Sequence, residues 1–323
     1  MNENRPSEFE LIARHFTRPV RHTVLGVGDD GAVVRPTPGT DLVVTTDMLV
    51  AGTHFLPDAE PEALGWKALA VNLSDLAAMG AQPRWAVVAA ALPKPDETWI
   101  AAFARGFFAC AEAFGVDVIG GDTTRGPLNI APTVFGDVPQ GQALTRDGAQ
   151  ANDDLWVSGA PGLAALGLNH RQGKVSLPDT AAMRCQAALD RPQPRVALGL
   201  ALRGLATAAI DVSDGLLADI GHILERSALA ADIDFEGLPR VALECGVDAA
   251  LAQQCLLAGG DDYELAFSAP AGRRADIGAL SARLDLPLTR IGRLRAGPAG
   301  ELAVRDDAGR PMPVGRRGFD HFA

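Results

Sequence analysis

Residues 206–217 read Ala206-Thr207-Ala208-Ala209-Ile210-Asp211-Val212-Ser213-Asp214-Gly215-Leu216-Leu217. A short apolar run stops at an aspartate, crosses a Ser-Asp-Gly turn and enters an amphipathic segment. The pattern predicts a strand over 207–211 and a helix over 215–226. A strand that hands over to a helix through a carboxylate-bearing turn is a unit of layered α/β structure.

The same alternation extends in both directions. Towards the C-terminus it predicts strand 232–235, helix 248–257, strand 263–268, helix 274–284 and short strands beyond. Towards the N-terminus it gives strand 155–158 and helices to about 205. Upstream, residues 138–153 are rich in Gly, Gln and Asp and lose periodicity. A second series lies before them. It starts with an amphipathic segment from Ser7 through Phe9, Leu11, Ile12 and Phe16, then strands 32–35 and 42–46. A long helix follows from Pro61 through Trp66, Leu69, Leu73 and Leu76, stopped by Gly80. Strand 85–92, helix 97–114 closed by Gly115, and strand 116–119 complete it. The expected fold is α/β in α+β layers, with one domain over 1–140 and another over 141–323. A chain of 323 residues suits roughly two domains.

Asp and Glu total 40 against 29 Lys and Arg, a net charge of −11. Nucleic-acid backbones need clustered basic residues, so no nucleic-acid partner is expected. Nucleotides remain open, because bound divalent cations invert local charge. Cys110, Cys185, Cys245 and Cys255 form no CxxC pair and suit a reducing cytosol. No leader pattern and no apolar run of about 18 residues is visible, so the expectation is a cytoplasmic protein without a membrane partner.

Two phosphate-binding motifs fail on context. Gly26-Val27-Gly28-Asp29-Asp30-Gly31 fits GxGxxG, but a strand follows it, leaving no helix N-terminus for a pyrophosphate. Gly167 to Gly173-Lys174 has one residue too many for a P-loop, and Val175 replaces the cation-binding hydroxyl. Any use of ATP is therefore without a Walker motif.

Aspartates at the ends of apolar runs recur instead. They occur at Asp47 after 42–46, at Asp122 after 116–121, at Asp211 and Asp214, and at Asp261-Asp262 after 256–260. Asp29-Asp30 precede a strand, and Asp75 sits in the long apolar helix. Grouped carboxylates near a core repel one another unless a cation intervenes. Oxygen ligands without a His or Cys cluster select Mg²⁺ over zinc. Each aspartate alone has a bland alternative: Asp214 can cap the following helix, and Asp29 and Asp122 can be turn residues.

These motifs, in order, resemble thiamine-monophosphate kinases: Gly28-Asp29-Asp30, 45–55, 71–81, Gly120-Gly121-Asp122-Thr123-Thr124-Arg125-Gly126, Leu144-Thr145-Arg146, 211–216, 259–265 and the tail Gly318-Phe319-Asp320-His321-Phe322. The resemblance covers essentially the whole chain. It implies a fold shared with aminoimidazole ribonucleotide synthetase and selenophosphate synthetase: an N-terminal domain that binds ATP and Mg²⁺ and forms a homodimer, and a C-terminal domain that closes the substrate cleft. It implies ATP-dependent phosphorylation of thiamine monophosphate, the last step towards thiamine diphosphate. It assigns Asp30, Thr45, Thr46, Asp47, Asp75, Asp122, Asp211 and Asp214 to several Mg²⁺ ions. Gly121, Asp122, Arg146 and Ser213 fall to ATP, and His54, Asp261 and Phe319 to thiamine monophosphate. Asp261 departs from the family's usual Glu, and Leu163-Ala164 after Pro161-Gly162 departs from its usual Gly-Asp-Ser.

The chemistry that follows is direct transfer. A phosphomonoester has a second pKa near 6, so its oxygen needs no general base at neutral pH. Phe319 offers the thiazolium a ring face, or packs the C-terminus; Tyr263 and Leu265 pack a strand, and Glu264 between them is a solvated neighbour. Alternatives are a related ATP-dependent synthetase, making selenophosphate or an aminoimidazole ribotide, and a non-catalytic thiamine-phosphate-binding module. The first alternative lacks its reactive N-terminal Cys, since the first cysteine is Cys110.

Overall fold

A computed structural model of the chain describes residues 8–315 and 317–319, with side chains from residue 10 onward. Ser7, the side chain of Phe9 and Asp320, His321 and Phe322 lie outside the described residues. The chain divides into two compact units, Met1–Leu76 with Ala81–Gly141, and Ala77–Gly80 with Gln142–Ala323.

The first unit runs α1 (Glu8–His15), β1 (Thr23–Leu25), β2 (Val33–Val34), β3 (Thr40–Thr46), β4 (Leu49–Val50), α2 (Pro61–Ala78), β5 (Gln82–Leu92), α3 (Glu97–Phe114), β6 (Asp117–Arg125) and β7 (Asn129–Pro139). Its main sheet has the order β3-β7-β5-β6, with β4 also on β7. Only β5 and β6 pair in parallel, across the α3 connection. α3 begins where the Asp96 carboxylate accepts the Trp99 N–H, and ends at Gly115 with φ 69°. α2 and α3 cross where neither has a side chain. A Cβ on Gly65 would lie 2.0 Å from the Phe103 carbonyl, and one on Gly106 1.7 Å from that of Glu62. Leu69, Leu73, Leu76, Phe107 and Ile130 fill the core.

The sequence pattern offers no strand at β7, although it pairs on both sides. Pro132, Gly136 and Pro139 argue against a central strand locally. Pairing to β3 and β5 overrides that preference. The two-stranded β1–β2 pair brackets the loop carrying Gly26 to Gly31, so no helix follows that motif.

The second unit runs β8 (Asp154–Ser158), α4 (Leu163–Arg171), α5 (Asp179–Asp190), α6 (Val196–Leu202), β9 (Ala208–Asp211), α7 (Leu216–Arg226), β10 (Ala230–Asp234), α8 (Ala249–Ala258), β11 (Leu265–Ala269), α9 (Arg274–Leu284), β12 (Leu288–Arg295) and β13 (Leu302–Arg305). Its sheet has the order β13-β10-β12-β8-β11-β9. Leu216, Leu217, Ile220, Ile223 and Leu224 of α7 are buried at helical spacing. Gly167 lies in α4 and packs on α5, its Cβ position 2.4 Å from the Cys185 carbonyl, which removes it from any phosphate loop. All four cysteines are free and buried.

Three of the aspartates at the ends of apolar runs are placed differently from the sequence expectation. β6 continues to Arg125, so Asp122 lies inside a strand rather than after one. Leu256 and Leu257 belong to α8, so Asp261 and Asp262 follow a helix and precede β11.

Candidate functional site

In the first unit, the end of β3 is tied to α2. The Thr45 hydroxyl donates to the Asp75 carboxylate at 2.5 Å, and the Asp47 N–H donates to Asn72 Oδ1 at 2.9 Å. Asn72 and Asp75 are one turn apart and share a face of α2. The sequence reading missed Asn72; its signal was a polar residue in a helix that is buried almost all round. Its own amide donates to the Ala68 carbonyl. Thr46 points the other way, donating to the Pro132 carbonyl at 2.8 Å and accepting from Thr133 at 3.1 Å. His54 closes a turn in which its Nδ1 accepts the Val50 N–H at 3.0 Å. In the neutral ring the proton is then on Nε2.

Asp30, Gly121 and Asp122 share a cleft of about 1460 Å³, also lined by Lys94, Trp99 and Arg125. Gly121 is required by the sheet itself: a Cβ there would lie 2.0 Å from the Val88 carbonyl. Gly121 therefore has a structural reason in its close approach to β5, beside the ATP contact that the resemblance implies. Asp122 is exposed on β6, whereas Thr45 lies on β3, with β7 and β5 between them.

In the second unit the loop after β9 is held on every carbonyl. Val212 accepts from the Tyr263 N–H at 2.8 Å, Ser213 from Asp261 at 2.7 Å and Asp214 from Phe319 at 2.9 Å. Asp211, Ser213, Asp214, Asp261 and Phe319 are thereby brought together. The adjoining segment is strained, with φ of 63° at Asp261 and 54° at Tyr263. Non-glycine residues in this region cluster at functional sites. Gly260 fits because a Cβ would meet the Ser213 carbonyl at 2.6 Å. Phe319 is 47% exposed. Arg146 is exposed, and its neighbour Thr145 accepts the Ala209 N–H of β9 at 3.3 Å.

Three carboxylates here carry structure rather than ligands. Glu264 is buried, against the sequence expectation of a solvated neighbour. It pairs with Arg195 at 2.6 and 2.5 Å and accepts the Ser158 hydroxyl at 2.5 Å. Tyr263 precedes β11 in left-handed backbone instead of packing in it, whereas Leu265 is buried as expected. Asp262 accepts the Gly162 N–H at 2.8 and 2.9 Å, capping α4, and burial pushes its carboxyl well up. Asp219, absent from the sequence reading, is buried on α7; desolvation pushes it up to about 6, against the N–H groups it accepts.

The carboxylate and hydroxyl donors suit a hard cation. Among the described residues no three His, Cys, Asp or Glu side chains surround one point. That arrangement is not a protein cage. It fits an ion that takes one or two carboxylates and completes its shell with water and substrate phosphates, as Mg²⁺ does. Thr45, by donating its proton to Asp75, keeps its oxygen lone pairs as acceptors for such an ion.

The AIR synthase related protein models match this chain in two parts, the N-terminal domain at residues 28–138 and the C-terminal domain at 150–305. Fold and matches together define the class, a two-domain AIR synthase related protein. The thiamine-monophosphate kinase of Escherichia coli K12 is 45% identical over 98% of both chains. The solved thiamine-monophosphate kinase of Stenotrophomonas maltophilia K279a is 47% identical, with a TM-score of 0.84, over 94% of this chain and 95% of that one. AaThiL, solved in complex with AMPPCP and TMP, is 30% identical with a TM-score of 0.77 over 98% of this chain and 97% of that chain. Within its class, the chain belongs to the thiamine-monophosphate kinase family.

Proposed function

We propose that this chain transfers the γ-phosphoryl group of ATP to the phosphate of thiamine monophosphate, giving thiamine diphosphate and ADP, with Mg²⁺ as its metal. The observation that carries the proposal is the tethering of Asp211–Gly215 to Gly260–Tyr263 and to Phe319, in a chain whose relatives are kinases of this substrate.

Asp30, Thr45, Thr46, Asp47, Asp75, Asp122, Asp211 and Asp214 would hold several Mg²⁺ ions. When bound, these supply the positive charge that lets two phosphate anions approach in line. Gly121, Asp122, Arg146 and Ser213 contact ATP, Arg146 through charge-assisted hydrogen bonds. The exposed Phe319 ring offers a face to the thiazolium and Asp261 a counter-charge. His54, with its proton on Nε2, offers a donor to the substrate. The nucleophile is the substrate's own phosphate oxygen, already ionised, so no side chain has to take a proton and no phosphoenzyme forms.

The first unit is assigned to ATP, Mg²⁺ and dimerisation, and the second to the substrate. A homodimer is supported by apolar side chains left outside the first unit's core: Leu42, Val44 and Met48 are 43%, 53% and 56% exposed. Among the described residues no helix is long and apolar enough to cross a membrane, in keeping with a cytoplasmic setting. A synthetase using a reactive thiol is disfavoured because all four cysteines are buried, with burial raising Cys185 to about 12 and Cys255 to about 11.

The test is ADP release with ATP and Mg²⁺, with and without thiamine monophosphate, in wild type and Asp75→Asn. Stoichiometric ADP and thiamine diphosphate, lost in the variant, support the proposal. Turnover with a different acceptor and none with thiamine monophosphate overturns the substrate.

A further inference from the structure

The loop Ser213-Asp214-Gly215 has its carbonyls and its amides held separately. The carbonyls of Ser213 and Asp214 take N–H groups from Asp261 and Phe319. The amides converge on one atom. Asp219 Oδ2 accepts from Ser213 at 3.0 Å, Asp214 at 3.1 Å and Gly215 at 3.0 Å.

This differs from ordinary capping. Gly215, the residue before α7, has no side chain to offer, and no side-chain cap is formed from it. Asp219 lies one turn inside the helix and reaches back past the first turn to the loop. Its side chain is 2% exposed. Gly215 cannot be replaced as the anchor, since a Cβ there would meet the Ala258 Cα at 2.9 Å. A carboxylate that receives three amide donors makes charge-assisted bonds, each stronger than a neutral one.

We propose that Asp219 is the positioning residue for the proposed phosphate-transfer site: gathering three consecutive amides on one oxygen, it sets the direction of the Ser213 and Asp214 side chains without touching substrate or cation. The inference rests on the assignment of Asp214 to a cation and Ser213 to ATP. Metal sites commonly depend on such outer partners, whose loss costs about 10–100-fold in affinity.

The experiment uses the full chain with a non-hydrolysable ATP analogue and reads Mn²⁺ binding by electron paramagnetic resonance. Thermal unfolding and steady-state rates accompany it. Asp219→Ala is expected to weaken Mn²⁺ binding about 10–100-fold. Asp219→Asn keeps one acceptor oxygen of the same shape without the charge, and is expected to lose only about 3–10-fold. In both, kcat falls further than the KM for thiamine monophosphate rises. If Asp219→Ala does not fold, Asp219→Asn decides. Either folded variant with wild-type Mn²⁺ affinity and kcat, changed only in melting temperature, overturns the proposal and leaves a structural cap. Asp214→Asn separates this from the underlying assignment. Wild-type Mn²⁺ binding in Asp214→Asn overturns the role of Asp214. Weakened binding there, with Asp219 variants unaffected, overturns only the positioning role.

Discussion

Thr45 on β3 donates its hydroxyl proton to Asp75 on α2 at 2.5 Å, joining residues 30 positions apart in sequence. The bond fixes a carboxylate and a hydroxyl oxygen side by side at the end of a strand. On the proposed assignment of Asp75 to a cation, Asp75→Asn should fold normally and lose activity by about 100-fold or more, because an amide carries no charge to hold the ion. Thr45→Ser should retain most activity and Thr45→Val little. The Mg²⁺ dependence of kcat checks both; a Thr45→Val enzyme with wild-type Mg²⁺ dependence would remove Thr45 from the site.

Gly121→Ala should be severe although it only adds a methyl group. The new Cβ would sit 2.0 Å from the Val88 carbonyl, so β5 and β6 must separate where Asp122 follows. A loss of about 2–4 kcal/mol is expected, read from the urea midpoint. An unchanged midpoint would mean that the strands yield freely.

Glu264→Gln leaves the Arg195 guanidinium, itself 25% exposed, facing a neutral amide. Losing the charge of the buried partner should cost about 1–3 kcal/mol. Replacing Arg195 by Met as well should recover part of that loss. A double variant as unstable as the sum of the singles would show that the two side chains act independently.

Asp117 supplies an acid-sensitive contribution to stability. Burial opposes its ionisation, but the N–H groups of His22 and Arg21 and the Thr23 hydroxyl outweigh it, holding the carboxyl below 3.8. The unfolded chain takes up its proton first as pH falls. The stabilisation is thus full above the unfolded pKa and is lost on acidification through the folded one. On acidification below about pH 4 the wild type should lose stability more steeply than Asp117→Asn. Parallel denaturant midpoints across that range would exclude the contribution.

If the proposed homodimer forms through this face, Val44→Glu should convert it to monomer in light scattering, since Val44 is 53% exposed on β3. Retained mass would place the interface elsewhere.

Much of the second unit was legible because its signals are local. The strand 207–211 and the helix after Gly215 follow from short-range apolar spacing, and the structure has β9 at Ala208–Asp211 and α7 at Leu216–Arg226. α3 was legible at about its observed bounds, since Gly115 marks its end chemically. β7 was not, because its Pro and Gly content is outweighed only by two neighbouring strands distant in sequence.

The sequence by itself determined the chemical type of the site: aspartates and hydroxyls, few competing bases, and an order of motifs shared with a kinase family. Residue chemistry travels with the residue and needs no fold to be read. Which carboxylates hold the chain was decided only in three dimensions. Asp261, Asp262 and Glu264 lie within four positions, yet Asp262 caps α4, Glu264 pairs with Arg195, and Asp261 is carried in left-handed backbone beside Ser213. Asp219 accepts three consecutive amides because folding gathers them on one buried oxygen, a condition set by packing.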